Sequence, residues 1–159
     1  MMAARSYVLP SGVRKGSVSA PQPCSIDHTN LNLLTTRPYM VSLKTDGVRK
    51  VLYAHEDGCL YWVDRSGTFE RAEGTAEPNV FMGTVLDGEL MDQGTRFVVF
   101  DCVAITGTQV HRKSLPHRLL HAATACRLIR IPHVRLETKP TVCATNLLRL
   151  LRLQGVEKN

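Results

Sequence analysis

The hydrophobic pattern changes period twice along the chain. Within residues 25–36, Leu31 and Leu34 fall on one helical face and Ser25 or Asp27 stands where an N-cap would, so a short helix is expected, broken by Pro38. From Tyr39 the period becomes two. Segments 39–43, 49–54, 59–64, 68–71, 84–91 and 96–105 read as strands. Glu56-Asp57-Gly58 and Arg65-Ser66-Gly67 read as hairpin turns, and Asp92-Gln93-Gly94 joins the last two strands. Phe97-Val98-Val99-Phe100 is a continuous apolar run and predicts a strand covered on both faces. From Leu115 the pattern is helical, with Leu119, Leu120, Ala123 and Leu128 on one stripe. A short strand is expected at 134–136 and a leucine-rich amphipathic helix at 146–153.

About seven strands joined by hairpin turns do not fit a doubly wound parallel sheet. The expected class is α+β, a mostly antiparallel sheet with flanking helices. At 159 residues the chain is long enough for one domain with one sizeable core. Residues 1–20 carry Arg5, Arg14 and Lys15 and no acid, and read as a flexible basic leader; residues 21–159 form the domain. No stretch approaches the ~20 apolar residues of a membrane span, and no secretory signal is visible.

Charge adds a partner class. The net charge is +6, and from His111 onward ten Lys and Arg face only Glu137 and Glu157. A basic C-terminal third suits a polyanion such as RNA or a nucleotide. The five cysteines have no Cys-x-x-Cys spacing and read as reduced, mostly buried thiols. His117 and His121 have the four-residue spacing of a helical metal pair, but no acid partners them and they read as packing or surface residues.

The candidate chemistry begins at Lys44-Thr45-Asp46-Gly47-Val48-Arg49. A lysine becomes a nucleophile once a neighbouring cation or a dry pocket frees its amine. Arg49 supplies a cation suited to phosphate or ribose oxygens, and Gly47 permits a tight turn. Asp87-Gly88-Glu89 places two carboxylates around a glycine at a strand–turn junction. Such a pair can hold a divalent metal or a ribose hydroxyl, and it can also be a plain Asp-Gly hairpin. Phe100-Asp101 ends the apolar strand with an aromatic, able to stack on a base or to sit in the core, and an acid.

Taken in order, Lys44 to Arg49, Asp64-Arg65, Asp87-Gly88-Glu89 and Phe100-Asp101 resemble the GTP-dependent mRNA capping enzymes. These are the guanylyltransferase branch of the lysine nucleotidyltransferases, a superfamily shared with ATP-dependent ligases. The resemblance runs collinearly over roughly residues 21–140. The lead from Gln22 to Asp27, followed by Asn30 to Leu34 and Pro38 to Ser42, looks like the capping branch and not the ligases. It implies the N-terminal part of a ligase-like nucleotidyltransferase domain. It also implies roles: Lys44 as the nucleophile that takes GMP from GTP, and Arg49 and Arg65 on the ribose. Glu89 would lie on the ribose or a metal-bound water, Phe100 on the guanine ring, and Lys139 on the guanine O6 edge. Mg²⁺ or Mn²⁺ would accompany the triphosphate, with no protein metal ligand assigned.

The same resemblance implies that GMP passes to a 5′-diphosphate RNA end, with RNA polymerase II or an RNA triphosphatase as partners. The setting would be nuclear, or cytoplasmic for a viral protein. The family's later acidic-Gly strand, its Lys-x-Lys strand and its C-terminal OB-fold are not in the sequence. A truncated domain with weak or no activity is therefore expected. An ATP-dependent polynucleotide ligase fragment and a non-catalytic RNA-binding pseudoenzyme are the alternatives.

Overall fold

The computed structural model describes residues 25–146. The expected leader at 1–20 and all but the first residue of the expected helix at 146–153 lie outside that range. The described residues fall into two compact units, Gly47–Thr138 and the flanking segments 25–46 and 139–146.

In the flanking unit, α1 is only Leu33–Thr36, much shorter than expected. Side chains upstream bond to their own backbone instead of starting a helix: Asp27 accepts from the Thr29 N–H at 2.8 Å and hydroxyl at 2.6 Å. Leu31, one member of the expected apolar stripe, is exposed. Arg37 is extended, as the residue before Pro38 must be. Strand β1 (Met40–Ser42) follows, and it pairs antiparallel with β11 (Thr141–Cys143), a strand the sequence reading did not contain.

The larger unit contains β2 (Val48–Ala54), β3 (Leu60–Val63), β4 (Phe69–Ala72), β5 (Thr75–Ala76), β6 (Thr84–Met91), β7 (Arg96–Ile105) and β8 (Thr108–Gln109). Then come α2 (Leu115–Leu128), β9 (Ile129–Arg130) and β10 (Arg135–Thr138). The main sheet runs β10-β7-β6-β2-β3-β4, with β8 on β7, and a small β5–β9 pair lies apart. Every pairing in the main sheet is antiparallel except β10 with β7, which is parallel. The fold is thus a mostly antiparallel sheet, and among the described residues α2 is the one substantial helix.

The expected strands are close to the observed ones because each is bracketed by turn residues. Asp64 accepts hydrogen bonds at Oδ1 from the Ser66 and Thr68 N–H groups, and Gly67 takes φ +79° in that turn. The sheet is apolar on both sides. On one, Leu52, Trp62, Leu86, Phe97 and Val99 pack with Ala122 and Ala125 of α2. On the other, Val51, Tyr53, Tyr61, Val63 and Val85 cluster. Trp62 and Phe97 meet edge to face at 4.9 Å.

The face of α2 differs from the expected stripe. Its buried residues are Ala122 and Ala125, whereas Leu120 is 67% exposed. Small residues let the helix lie close to the sheet, and that close approach, not side-chain size, chooses the buried face.

Candidate functional site

In the larger unit three strands bring candidate residues to one place. Val51 and Tyr53 point to the sheet face away from α2. Arg49 therefore points there too, two and four residues earlier on the same strand. Arg49 is the cross-strand partner of Glu89, and Val51 is the partner of Asp87. Asp87 thus lies diagonally from Arg49, within reach of a long side chain. The contact is a two-pronged ion pair: Arg49 Nε donates to Asp87 Oδ1 at 3.0 Å and Nη2 to Oδ2 at 2.6 Å.

Asp87-Gly88-Glu89 is therefore neither a turn nor a strand–turn junction. It lies inside β6, and its first carboxylate is taken by Arg49. Gly88 is required by packing. A Cβ there would stand 2.7 Å from Cε2 and Cζ of Phe97 and from the Val98 carbonyl oxygen. The glycine signal came from ring packing in the neighbouring strand.

Phe100 occupies a bulge. Across β6–β7, Asp87 pairs with Asp101 and Gly88 with Val99, so Phe100 is the extra residue on β7. The bulge turns its ring to the arginine, whose Cζ lies 5.7 Å from the ring centroid. Arg49, Glu89 and Phe100 are thus brought close together from β2, β6 and β7.

Arg65 is exposed in the β3–β4 turn. Because β3 runs antiparallel to β2 with Val63 opposite Val51, that turn is at the Arg49 end of the sheet.

The sequence reading missed the counter-charge behind this group. Asp101 is buried and is held by a second fork: Arg118 Nε donates to Oδ1 at 2.6 Å and Nη2 to Oδ2 at 3.1 Å. Arg118 Nη1 also donates to the Lys113 carbonyl oxygen at 2.6 Å. The available signal was position, since Arg118 precedes the buried Ala122 by four and Ala125 by seven residues. A cation on the core face of a helix has to find an anion.

Burial pushes the Asp87 carboxyl above its usual range, and the Arg49 hydrogen bond opposes that. The Asp87 bond in turn holds the Arg49 guanidinium further into its charged form.

In the flanking unit, Lys44 lies in the loop after β1. Its side chain is 88% exposed and its Nζ stands 3.9 Å from Asp46 Oδ1. Lys139 Nζ donates to Thr45 Oγ1 at 3.1 Å, so Lys139 reaches the residue next to Lys44, although 94 positions separate the two bonded residues. The β1–β11 pairing brings these segments together.

Among the described residues no three His, Cys, Asp or Glu side chains converge to hold a metal ion. Both Asp87 carboxylate oxygens accept hydrogen bonds from Arg49. His117 Nδ1 is 2.6 Å from Ser114 Oγ, a local contact at the start of α2. Among the described residues no helix is long and apolar enough to cross a membrane.

The chain is 29% identical over 127 residues to mRNA-capping enzyme subunit alpha of Saccharomyces cerevisiae, covering 63% of this chain and 28% of that protein. It is 29% identical over 129 residues to the Schizosaccharomyces pombe mRNA-capping enzyme subunit alpha, covering 68% and 32%. Against the mRNA-capping enzyme of Caenorhabditis elegans it is 36% identical over 90 residues, covering 54% and 13%. The chain thus matches a third or less of the length of each of these relatives. The family model for the catalytic domain of mRNA capping enzymes matches residues 11–150, nearly the whole sequence, and the chain belongs to that family.

Proposed function

We infer that this chain carries the lysine and much of the nucleotide-binding surface of an mRNA guanylyltransferase. The observation that carries the reading is the convergence of Arg49, Glu89 and Phe100 from β2, β6 and β7. An arginine suited to ribose and phosphate, a carboxylate opposite it and an aromatic ring beside it are the parts of a nucleotide site. Arg49 lies over the Phe100 ring, so guanine would stack on the opposite face.

In the proposed reaction, deprotonated Lys44 Nζ attacks the α-phosphorus of GTP. An N–P bond forms as the bond to the bridging α–β oxygen breaks, and pyrophosphate leaves. The amine's proton goes to solvent. A 5′-diphosphate RNA oxygen then attacks the same phosphorus, the N–P bond breaks, and Lys44 regains a proton. Lys139, bonded to Thr45, is the residue we assign to the guanine O6 edge, and Arg65 to the ribose from the same sheet end as Arg49. Mg²⁺ or Mn²⁺ would neutralise the triphosphate. The described residues form no protein cage for such an ion, and no step is assigned to it. The overall class would be the N-terminal part of a ligase-like nucleotidyltransferase, working on nascent RNA in the nucleus, or in the cytoplasm for a viral protein. RNA polymerase II and an RNA triphosphatase are the proposed partners.

With the Lys44 side chain 88% exposed, weak labelling is expected. Incubation with α-labelled GTP and Mg²⁺ or Mn²⁺, followed by a denaturing gel, tests this. A faint band lost in Lys44→Ala supports the reading. An adduct mapped to another side chain overturns it, and stronger labelling by ATP transfers it to the ligases.

A non-catalytic reading has its own support. No acid occurs between Asp101 and Glu137, and Arg112, Lys113, Arg127, Arg130 and Arg135 are exposed there. Salt-sensitive RNA binding with no nucleotide adduct would favour it.

A further inference from the structure

Asp87 and Asp101 are Cα partners across the β6–β7 ladder, and both are buried. Like charges directly opposite on a ladder are unfavourable, and burial strengthens the repulsion. Each is matched by its own arginine fork, Arg49 from β2 and Arg118 from α2. The four side chains therefore form two crossed ion pairs with the two carboxylates in the middle. Only the Arg49 end touches the proposed nucleotide surface.

We propose that Arg118 is a positioning residue for that surface: by neutralising Asp101 it leaves Asp87 to hold the Arg49 guanidinium beside Phe100. This rests on the nucleotide-binding reading above for its functional consequence, but not for its geometry. The charged and titratable groups around the pair are Arg49 on β2, Glu89 on β6, Cys102 on β7 and Arg118 on α2. Without Arg118 one guanidinium faces two buried carboxylates. While the pair keeps a shared proton, Arg49 stays on Asp87. Once that proton leaves, Asp101 competes for Arg49 and draws it off the ring. The defect of a charge-removing variant is therefore pH-dependent, whereas a helix that merely docks less well would fail equally at every pH.

The test is NMR of the whole chain, reading the aspartate carboxyl carbons and the Arg49 Nε–H signal as pH is raised. In Arg118→Leu the carboxyl pair should release its last proton about one pH unit or more higher than in the unsubstituted protein. The Arg49 signal should shift over the same range. Binding of a fluorescent GTP analogue should weaken roughly tenfold across that step, the factor matching one unit of protonation coupling. The double variant Arg118→Leu/Asp101→Asn should lose the step, and Arg118→Lys should restore most of the original titration. If Arg118→Leu leaves the Arg49 signal and both carboxyl titrations unchanged, the proposal is wrong. If Arg118→Leu fails to fold but the double variant folds, the uncompensated charge is the cause and the proposal stands. If both fail to fold, Arg118 serves helix docking and the proposal falls. Absence of GTP binding in the unsubstituted protein would count against the functional reading alone, since the NMR readout contains no nucleotide.

Discussion

Arg49 grips Asp87 through both prongs of its guanidinium, at 3.0 and 2.6 Å, across two strands and 38 residues of sequence. The pair is the pivot of the candidate site, because the same guanidinium lies over Phe100. Lysine at position 49 would keep the charge and lose the fork. We expect Arg49→Lys to cost about 1.5–3 kcal/mol, the range for one charge-assisted hydrogen bond. Arg49→Leu strands Asp87 and should cost about 3–5 kcal/mol. Urea unfolding measures both. An Arg49→Leu variant as stable as the parent would show that the pair contributes nothing.

Much of this arrangement was legible in the sequence. Strands β6 and β7 were bounded correctly because apolar runs and the turn residues Asp92-Gln93-Gly94 between them agree along 84–105. Arg49, Glu89 and Phe100 each stood out as candidates in the sequence, but their meeting comes from the pairing of β2, β6 and β7. What escaped has a common physical cause, namely pairing between distant segments. The short strand expected at 134–136 corresponds to β10, but neither its parallel pairing with β7 nor the β1–β11 ladder leaves a local signal. The helix expected at 25–36 is reduced to Leu33–Thr36 because the Asp27 carboxylate takes the Thr29 N–H in a local turn. The stripe on α2 was only partly right: Leu128 packs on the core and Leu120 is exposed, while Ala122 and Ala125 are small, and a reading weighted by hydrophobic size passes over them. Asp87-Gly88 looked like a hairpin because nothing local tells that the Phe97 ring fills the space a Cβ would occupy.

That ring makes a sharp prediction. Gly88→Ala puts a methyl 2.7 Å from two Phe97 ring carbons and a backbone oxygen, and Phe97 is fully buried against Trp62. The ring has no room to retreat. Overpacking of this kind costs about 1–3 kcal/mol. Thermal unfolding of Gly88→Ala should show a lowered midpoint. Nucleotide binding should weaken as well, since Asp87 and Glu89 flank the displaced residue. An unchanged midpoint would mean the ring moves freely.

Two aspartates should titrate on opposite sides of the ordinary value of 3.8. Bonds from the Ser66 hydroxyl and the Thr68 N–H hold Asp64 below it, while burial carries Asp87 above it against the Arg49 bond. The signs for stability are opposite. Asp64 is easier to ionise in the folded chain, so its contribution is present above 3.8 and is lost as pH falls through its lower folded value. Asp87 is harder to ionise when folded, so its burden is present above its raised value. That burden is relieved as pH falls from there to 3.8. Carboxyl-carbon NMR should record Asp87 taking its proton first on acidification and Asp64 last. The reverse order would contradict both assignments.

The thiols divide in the same manner. Burial pushes Cys102 up to about 12 and Cys126 up to about 11. Hydrogen bonds from Thr145 hold Cys143 below the ordinary thiol range. Only the thiolate attacks an alkylating reagent. At about pH 8 roughly one Cys102 in 10,000 is ionised, the fraction set by four units of difference. Iodoacetamide should therefore modify Cys143 on the folded protein, while Cys102 and Cys126 react only after denaturation. Cys143 is the register partner of Met40, on the strand that leads into the Lys44 loop. An added carboxamidomethyl group there should disturb the Lys139–Thr45 bond before it disturbs the sheet that carries Arg49. Peptide mapping after limited alkylation reads the order of modification. Equal rates at Cys102 and Cys143 would show that Cys102 is not enclosed between α2 and the sheet.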